Sequence, residues 1–245
     1  MNKMRIKVHL DVLDMETEKT QLPINYRFLL LSLIKEGFSR TDDELLHKLY
    51  GEAPTMKKLT FALYMKHLKL LPKENMLEFE NSTLTLSSSD ALLMSKLLAG
   101  LTLIQTYTYK NRFQLTIKKI EIETTPIIRG NLVHYKTMSS FLFENAEGKP
   151  VLAEDKDFTK TVNSCMNKRF TALYGRPLYE PLEFISSNLR IRVVKEKNAH
   201  THGQELTYTT KSGDFILQGH PTDLQLIYDD GFGKRASQGM GCLSI

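Results

Sequence analysis

Cysteine is nearly absent from this 245-residue chain: Cys165 and Cys242 stand far apart and outside any CxxC spacing. That argues against a disulfide framework or a thiolate metal site and suits a reducing cytoplasm. Long apolar runs are missing too, none approaching the roughly 20 residues that a membrane span needs. Met1-Asn2-Lys3-Met4-Arg5 leads straight into strand-like alternation, so a soluble, unprocessed protein with no membrane partner is expected. The acids are scattered, with no cluster of the kind a two-metal nuclease requires. What is present is an ordinary globular composition, 41% apolar, enough for one large domain or two small ones. The net charge of +5 admits a polyanionic partner without identifying one.

Met4, Ile6, Val8 and Leu10 alternate with Arg5, Lys7 and His9, which predicts a strand with one buried face. Tyr26 to Phe38 carries apolar residues at helical spacing, and a short helix follows over Asp42 to Tyr50, with Thr41 able to cap it. Strands are predicted near Leu59–Lys66 and Leu77–Leu86. Then comes a helix capped by Ser89 or Asp90, bearing Leu93, Leu97, Leu101 and Ile104, and a strand over Arg112–Glu123. The first half thus reads βαββαβ. In the second, a long β pair is expected over Asn131–Glu154, hinged at Asn145-Ala146-Glu147-Gly148. A helix from Phe158 ends near Gly175. Asn188–Lys197 is a strand with Leu189, Ile191 and Val193 on one face and Arg190 and Arg192 on the other, and Leu206–Gln218 is its hairpin partner. The halves share an order of elements without a visible repeat, and the break falls near Glu121–Pro126, giving domains 1–123 and 124–245.

The densest local signal is Gly231-Phe232-Gly233-Lys234-Arg235-Ala236-Ser237-Gln238-Gly239-Met240-Gly241. Glycines let a phosphate approach backbone N–H groups, and two cations add charge, so the segment reads as a polyanion cradle. A flexible turn near a C-terminus is the plainer reading. It is not a P-loop, because no Lys-Ser/Thr follows a glycine, and too little chain follows for a dinucleotide-binding unit. The pattern G-φ-G-x-x-x-x-x-G-φ-G, with φ apolar, is similar to the signature loop of the repeat-processing endoribonucleases numbered six among the CRISPR-associated proteins. That resemblance covers nearly the whole chain and implies an α+β fold of two tandem ferredoxin-like domains.

The resemblance also implies cleavage by attack of a ribose 2′-OH on the adjacent phosphate, with a histidine after the first helix. Here that is His47, in Leu45-Leu46-His47-Lys48-Leu49-Tyr50, since imidazole can give or take a proton near neutral pH. Lys57 or Lys58, with Lys58 preferred, can offset charge on the phosphate. Where relatives have a tyrosine this chain has Lys35, and Tyr26 or Tyr50 can substitute. The plainer reading of His47 is a partly exposed helical residue. His200 and His202 share a strand face but lack a partner acid or cysteine, so no metal site is expected. His9, His67, His134 and His220 are read as surface or hairpin residues.

For RNA binding, the candidates are Gly231, Gly233, Lys234, Arg235, Gly239 and Gly241 in the loop, Lys168 and Arg169 beside Lys160 and Arg176 on a helix, and Arg190 and Arg192 beside Lys195 and Lys197 on a strand. A solvated helix face explains the helical set equally well. Tyr107, Tyr109 and Phe113 can stack on bases or fill a core. The expected partner is CRISPR repeat RNA, with other CRISPR effector-complex subunits next and no small-molecule cofactor. Two alternatives stay open: a non-catalytic RNA-binding subunit of an effector complex, and an enzyme that binds a small phosphorylated metabolite at the glycine loop.

Overall fold

The structure, a computed structural model, describes residues 3–51, 55–152, 154–196 and 206–245. The predicted first strand is β1 (Met4–Asp14), whose Ile6, Val8, Leu10 and Val12 are buried, as the alternation requires. It lies at the centre of a sheet. After a short β2 (Gln21–Pro23) come α1 (Arg27–Ser39) and α2 (Asp43–Tyr50). Asp42, not Thr41, caps α2, accepting from the Leu45 N–H at 2.8 Å, while the Thr41 hydroxyl turns to carbonyls of α1 and Lys96. Then follow β3 (Thr60–Met65), β4 (Lys69–Leu71), β5 (Met76–Glu78) and β6 (Ser82–Ser88). The single strand expected over Leu77–Leu86 is therefore two, in different sheets. The element α3 (Ala91–Thr102) is capped by Asp90, and β7 (Thr106–Tyr109) and β8 (Phe113–Glu123) close this half.

The main sheet here runs β3-β6-β1-β8-β7, and β2-β5-β4 form a small side sheet. With β1, β3, β6 and β8 as the four strands of a βαββαβ unit, the order 2-3-1-4 is that of a ferredoxin-like domain. Helices α1 and α3 pack on one another and on β1. They close to backbone contact where Gly37 meets Gly100, since a side chain on Gly100 would strike the Gly37 carbonyl.

The second half repeats the plan with β9 (Leu132–Thr137), α4 (Phe158–Tyr174), β10 (Glu183–Glu196), β11 (Leu206–Gln218), α5 (Pro221–Asp230) and β12 (Leu243–Ser244). Its sheet order is β10-β11-β9-β12, again 2-3-1-4. Two ferredoxin-like units in tandem are therefore present, each with its own apolar core. The long β pair over Asn131–Glu154 does not form: β9 pairs with β11 and β12, and only the isolated Glu144–Pro150 bridge, the Val151 N–H bond to the Phe143 carbonyl and the Asn145–Gly148 turn remain of it. On β10 the faces are also reversed near the tip. Ile191 and Val193 are exposed, while Val194 and Glu196, in phase with Arg190 and Arg192, turn inward.

Buried polar groups tie the halves together. The Arg5 guanidinium of β1 donates to the carbonyls of Tyr228 at 3.1 Å and Leu243 at 3.0 Å and lies 4.0 Å over the Tyr228 ring. Such a cation contributes only because carbonyls replace its lost water.

Candidate functional site

Helix α2 turns Leu45, Leu46, Leu49 and Tyr50 toward the first core and leaves Asp43, Glu44, His47 and Lys48 exposed. His47 thus sits on the wet face one turn before Tyr50. The Tyr50 ring is flanked by two ammonium groups, Lys35 of α1 at 4.9 Å and Lys57 at 4.5 Å. Its hydroxyl is buried without a hydrogen-bond partner, and burial pushes its pKa up. Burial, and then the nearby Lys35 charge, hold the Lys57 amine below the ordinary lysine range. Two cations brought together over one ring, with no carboxylate paired to either among the described residues, make a spot that an anion would relieve.

Lys57 and Lys58 point to different places. Lys57 lines a cleft of about 1120 Å³ between the two halves. Lys58 lies over the Tyr174 ring at 4.8 Å, and its carbonyl accepts from the Ser88 hydroxyl. The cleft is walled by Lys156, Lys160 and Lys168 of the α4 side and by Lys234 and Arg235, against the acids Glu144, Glu147, Asp155 and Asp157. Lys160 and Lys168 are exposed. Lys234 is paired with Glu144 at 2.8 Å, and the Arg235 guanidinium lies 4.4 Å over Tyr208 and donates to Gln238 at 2.8 Å. Arg190 and Arg192 are exposed on β10, which forms the edge of its sheet. Arg169 is not a surface cation: it is 7% exposed and donates to the Asp230 carbonyl at 2.7 Å. Arg176 pairs with Asp223 at 2.7 Å and stacks on Tyr179.

The glycine-rich turn differs from the open cradle its composition predicts. Gly231, Gly233, Gly239 and Gly241 are all buried. Phe232 is fully buried among Phe141, Phe143 and Phe215, and Met240 lies in a cluster with Leu142, Val194 and Tyr208. The two apolar residues between glycines are therefore anchors. Six N–H groups, those of Gly231, Phe232, Lys234, Gln238, Gly239 and Gly241, are spent on carbonyls of the protein itself. Gly239 has φ +82° with the Phe61 ring beside it, and Gly241 has φ +70° against the Phe232 carbonyl.

A family model described as CRISPR associated protein Cas6, C-terminal, matches residues 104–245, which takes in this turn and the whole second sheet. The chain belongs to the Cas6 family. Members of that family are endoribonucleases that process CRISPR RNA. Among solved structures, a Cas6-related protein from Pyrococcus furiosus superposes with a TM-score of 0.82 at 17% identity, over 100% of this chain and 98% of that one. A RAMP protein described as binding different RNA substrates gives 0.80 at 17%, over 98% of each chain. A Thermus thermophilus Cas6 product complex gives 0.66 at 16%, over 99% of each. These likenesses establish a shared RAMP-type fold. A comparison with curated protein sequences finds no match.

Within this Cas6 fold the remaining histidines have local partners. His9 faces Glu121 at 3.4 Å, His67 faces Glu80 at 2.7 Å, and His134 faces Asp214 at 3.8 Å. His220 caps α5, its Nδ1 accepting from the Thr222 N–H at 3.2 Å. His200 and His202 lie outside the described residues, as does Lys197; among the described residues no group of three His, Cys, Asp or Glu side chains is placed to hold a metal. Tyr107, Tyr109 and Phe113 pack against the first core. No helix among the described residues is long and apolar enough to cross a membrane. Sequence reasoning missed α5 and its buried acids Asp223, Asp229 and Asp230. His220-Pro221-Thr222-Asp223, with Leu224, Ile227 and Tyr228 behind it, carried the signal of a helix start.

Proposed function

We propose that this protein cuts CRISPR repeat RNA in the precursor transcript by internal transesterification, without a metal cofactor. The observation that carries the reading is the pairing of Lys35 and Lys57 on the Tyr50 ring, with His47 one turn earlier on α2 and Lys57 at the wall of a cation-lined cleft, on a Cas6 fold. RNA lies in the cleft with its phosphates against Lys156, Lys160 and Lys168, and Lys234, Arg235, Arg190 and Arg192 add attraction over a longer reach. The scissile phosphate comes to the Lys35–Lys57 pair. The 2′-oxygen bonds to phosphorus as its proton leaves, and the bond from phosphorus to the 5′-oxygen breaks as that oxygen gains a proton. The products are a 2′,3′-cyclic phosphate and a 5′-OH.

His47 handles one of these protons, and Lys57 offsets the added charge on the phosphoryl oxygens without reacting itself. That role falls to Lys57, which lines the cleft, rather than to Lys58, which is not among the cleft's lining residues and lies over Tyr174. The nucleophile is part of the substrate, so the reaction requires no metal-bound water. Single-turnover cleavage of a labelled repeat tests the assignment. His47→Ala and Lys57→Ala each slow the chemical step by about 10²- to 10⁴-fold, with RNA affinity nearly unchanged. Wild-type rates in both variants would move the chemistry to other side chains; tight binding with no cutting by the wild type would make this chain an RNA-binding subunit instead.

A further inference from the structure

Arg169 stands out because a cation on a helix otherwise rich in exposed lysines is buried, and its donors go to backbone rather than to a carboxylate. Its Nη2 donates to the Asp230 carbonyl at 2.7 Å and reaches the Lys57 carbonyl at 3.5 Å. Asp230 ends α5, so the guanidinium sits at a helix C-terminus, where a cation is favoured. The Asp230 side chain is itself anchored. It accepts from the Ser89 N–H at 2.7 Å, the Ser89 hydroxyl at 2.6 Å and the Tyr174 hydroxyl. From the other side the Ser88 hydroxyl holds the Lys58 carbonyl. The carbonyls of both lysines are thus held by donors that belong to other elements, one of them from the second half of the chain.

We propose that Arg169 is a positioning residue that fixes the backbone at Lys57, so that docking of the two halves sets where the Lys57 ammonium meets the scissile phosphate. The inference rests on the cleavage reading above for its consequence and on the contacts of Arg169 for its geometry. Arg169 borders the cleft beside Lys57 and Lys168, but at 7% exposure its guanidinium is turned to backbone carbonyls rather than presented to RNA as the exposed α4 lysines are. The groups facing Lys57 are Lys35 of α1, Tyr50 of α2 and Arg169 of α4, with the Thr55 carbonyl 3.1 Å from its amine.

Two measurements on the full chain test this. In the first, Arg169→Met, which removes the Nη2 donor to both carbonyls at similar volume, is combined with Lys57→Ala in a cycle of single-turnover rates at saturating RNA. Arg169→Met slows cleavage by about 10- to 100-fold with affinity held within about threefold, and the double variant is no slower than Lys57→Ala within about twofold. Arg169→Lys, which can reach one carbonyl at a time, recovers part of the rate and stands in if Arg169→Met fails to fold. Multiplying effects of the two substitutions, or a weaker affinity with an unchanged rate, would overturn the proposal.

The second measurement needs no RNA. The side-chain resonances of Lys57, assigned by comparison with Lys57→Ala, are titrated in the wild type and in the Arg169 variants. The wild-type titration lies below that of an ordinary lysine and moves up toward it when Arg169 is replaced. An unmoved titration would overturn the positioning role even if cleavage is confirmed, whereas failure of the wild type to cut any repeat would overturn the cleavage reading and leave the titration result standing.

Discussion

Replacing Gly239 by alanine separates the two explanations of the glycine pattern, a phosphate cradle and a packed turn. A β-carbon there would lie 2.6 Å from Cε2 and 2.9 Å from Cζ of Phe61, a ring that is 1% exposed in the first core, and the backbone φ is +82°. The left-handed backbone costs a non-glycine residue about 1–2 kcal/mol. Forcing a methyl against a packed ring adds about 1–3 kcal/mol. The sum is roughly 2–5 kcal/mol, and at about 2–4 °C per kcal/mol for a chain of this size it lowers Tm by some 4–20 °C. Gly148→Ala is the control, because Gly148 has φ +74° but nothing within 4 Å of a β-carbon. It carries the backbone cost alone, ~1–2 kcal/mol. Thermal melting followed by circular dichroism measures both. RNA affinity is then measured well below each midpoint, where the folded Gly239→Ala protein binds within about threefold of wild type, a change of under 1 kcal/mol. If Gly239→Ala melts like Gly148→Ala and yet binds RNA about tenfold or more weakly, ~1.4 kcal/mol, the glycine is bare to admit a phosphate and the packing argument is wrong.

Two further outcomes follow from the same geometry. Lys160→Ala/Lys168→Ala lowers the log–log salt dependence of RNA binding by about 0.7 for each single-strand phosphate that is no longer neutralised; filter binding over a salt series measures it, and an unchanged slope would place the RNA elsewhere. Asp229 is held up to about 7, first by burial and further by Asp230, against the pull of Lys3 and Arg5. Its folded pKa lies above the unfolded one, so its favourable contribution is complete below about pH 4 and disappears as pH rises through about 7. Asp229→Asn therefore raises Tm above pH 7 and leaves it little changed near pH 4. A difference in Tm that does not vary with pH would show that the carboxyl is not the group responsible.

Elements whose signal is local were readable from the sequence, and those that depend on distant partners were not. The alternation over β1 and the helical spacing of α1, α3 and α4 survive because each buries one face on its own core. The stretch Leu77–Leu86 reads as one strand, but its two ends belong to different sheets, a choice made by β2 and β1 rather than by the stretch itself. Likewise β9 takes β11 and β12, 70 or more residues away, over the neighbouring segment that ends at Glu154. Helix α5 was hidden because its acids look solvated, yet Asp223 and Asp230 are buried against Arg176, Ser89 and Tyr174. The same effect misplaced Arg169. A buried charge satisfied by carbonyls leaves no mark in a sequence that separates it from a surface cation. At the glycine-rich turn the pattern was visible and pointed to the family, but composition could not tell glycines that admit a ligand from glycines that admit Phe61 and the Phe232 carbonyl.

The most direct test of the proposed chemistry is the fate of a CRISPR repeat RNA, labelled at one end, incubated with the purified protein in excess EDTA, beside the same RNA carrying one 2′-deoxy nucleotide at the cut. A single cut is expected in the unmodified repeat, ending in a 2′,3′-cyclic phosphate upstream and a 5′-OH downstream, and no cut in the 2′-deoxy substrate. Cleavage of the 2′-deoxy RNA, or cleavage that EDTA abolishes, would contradict it.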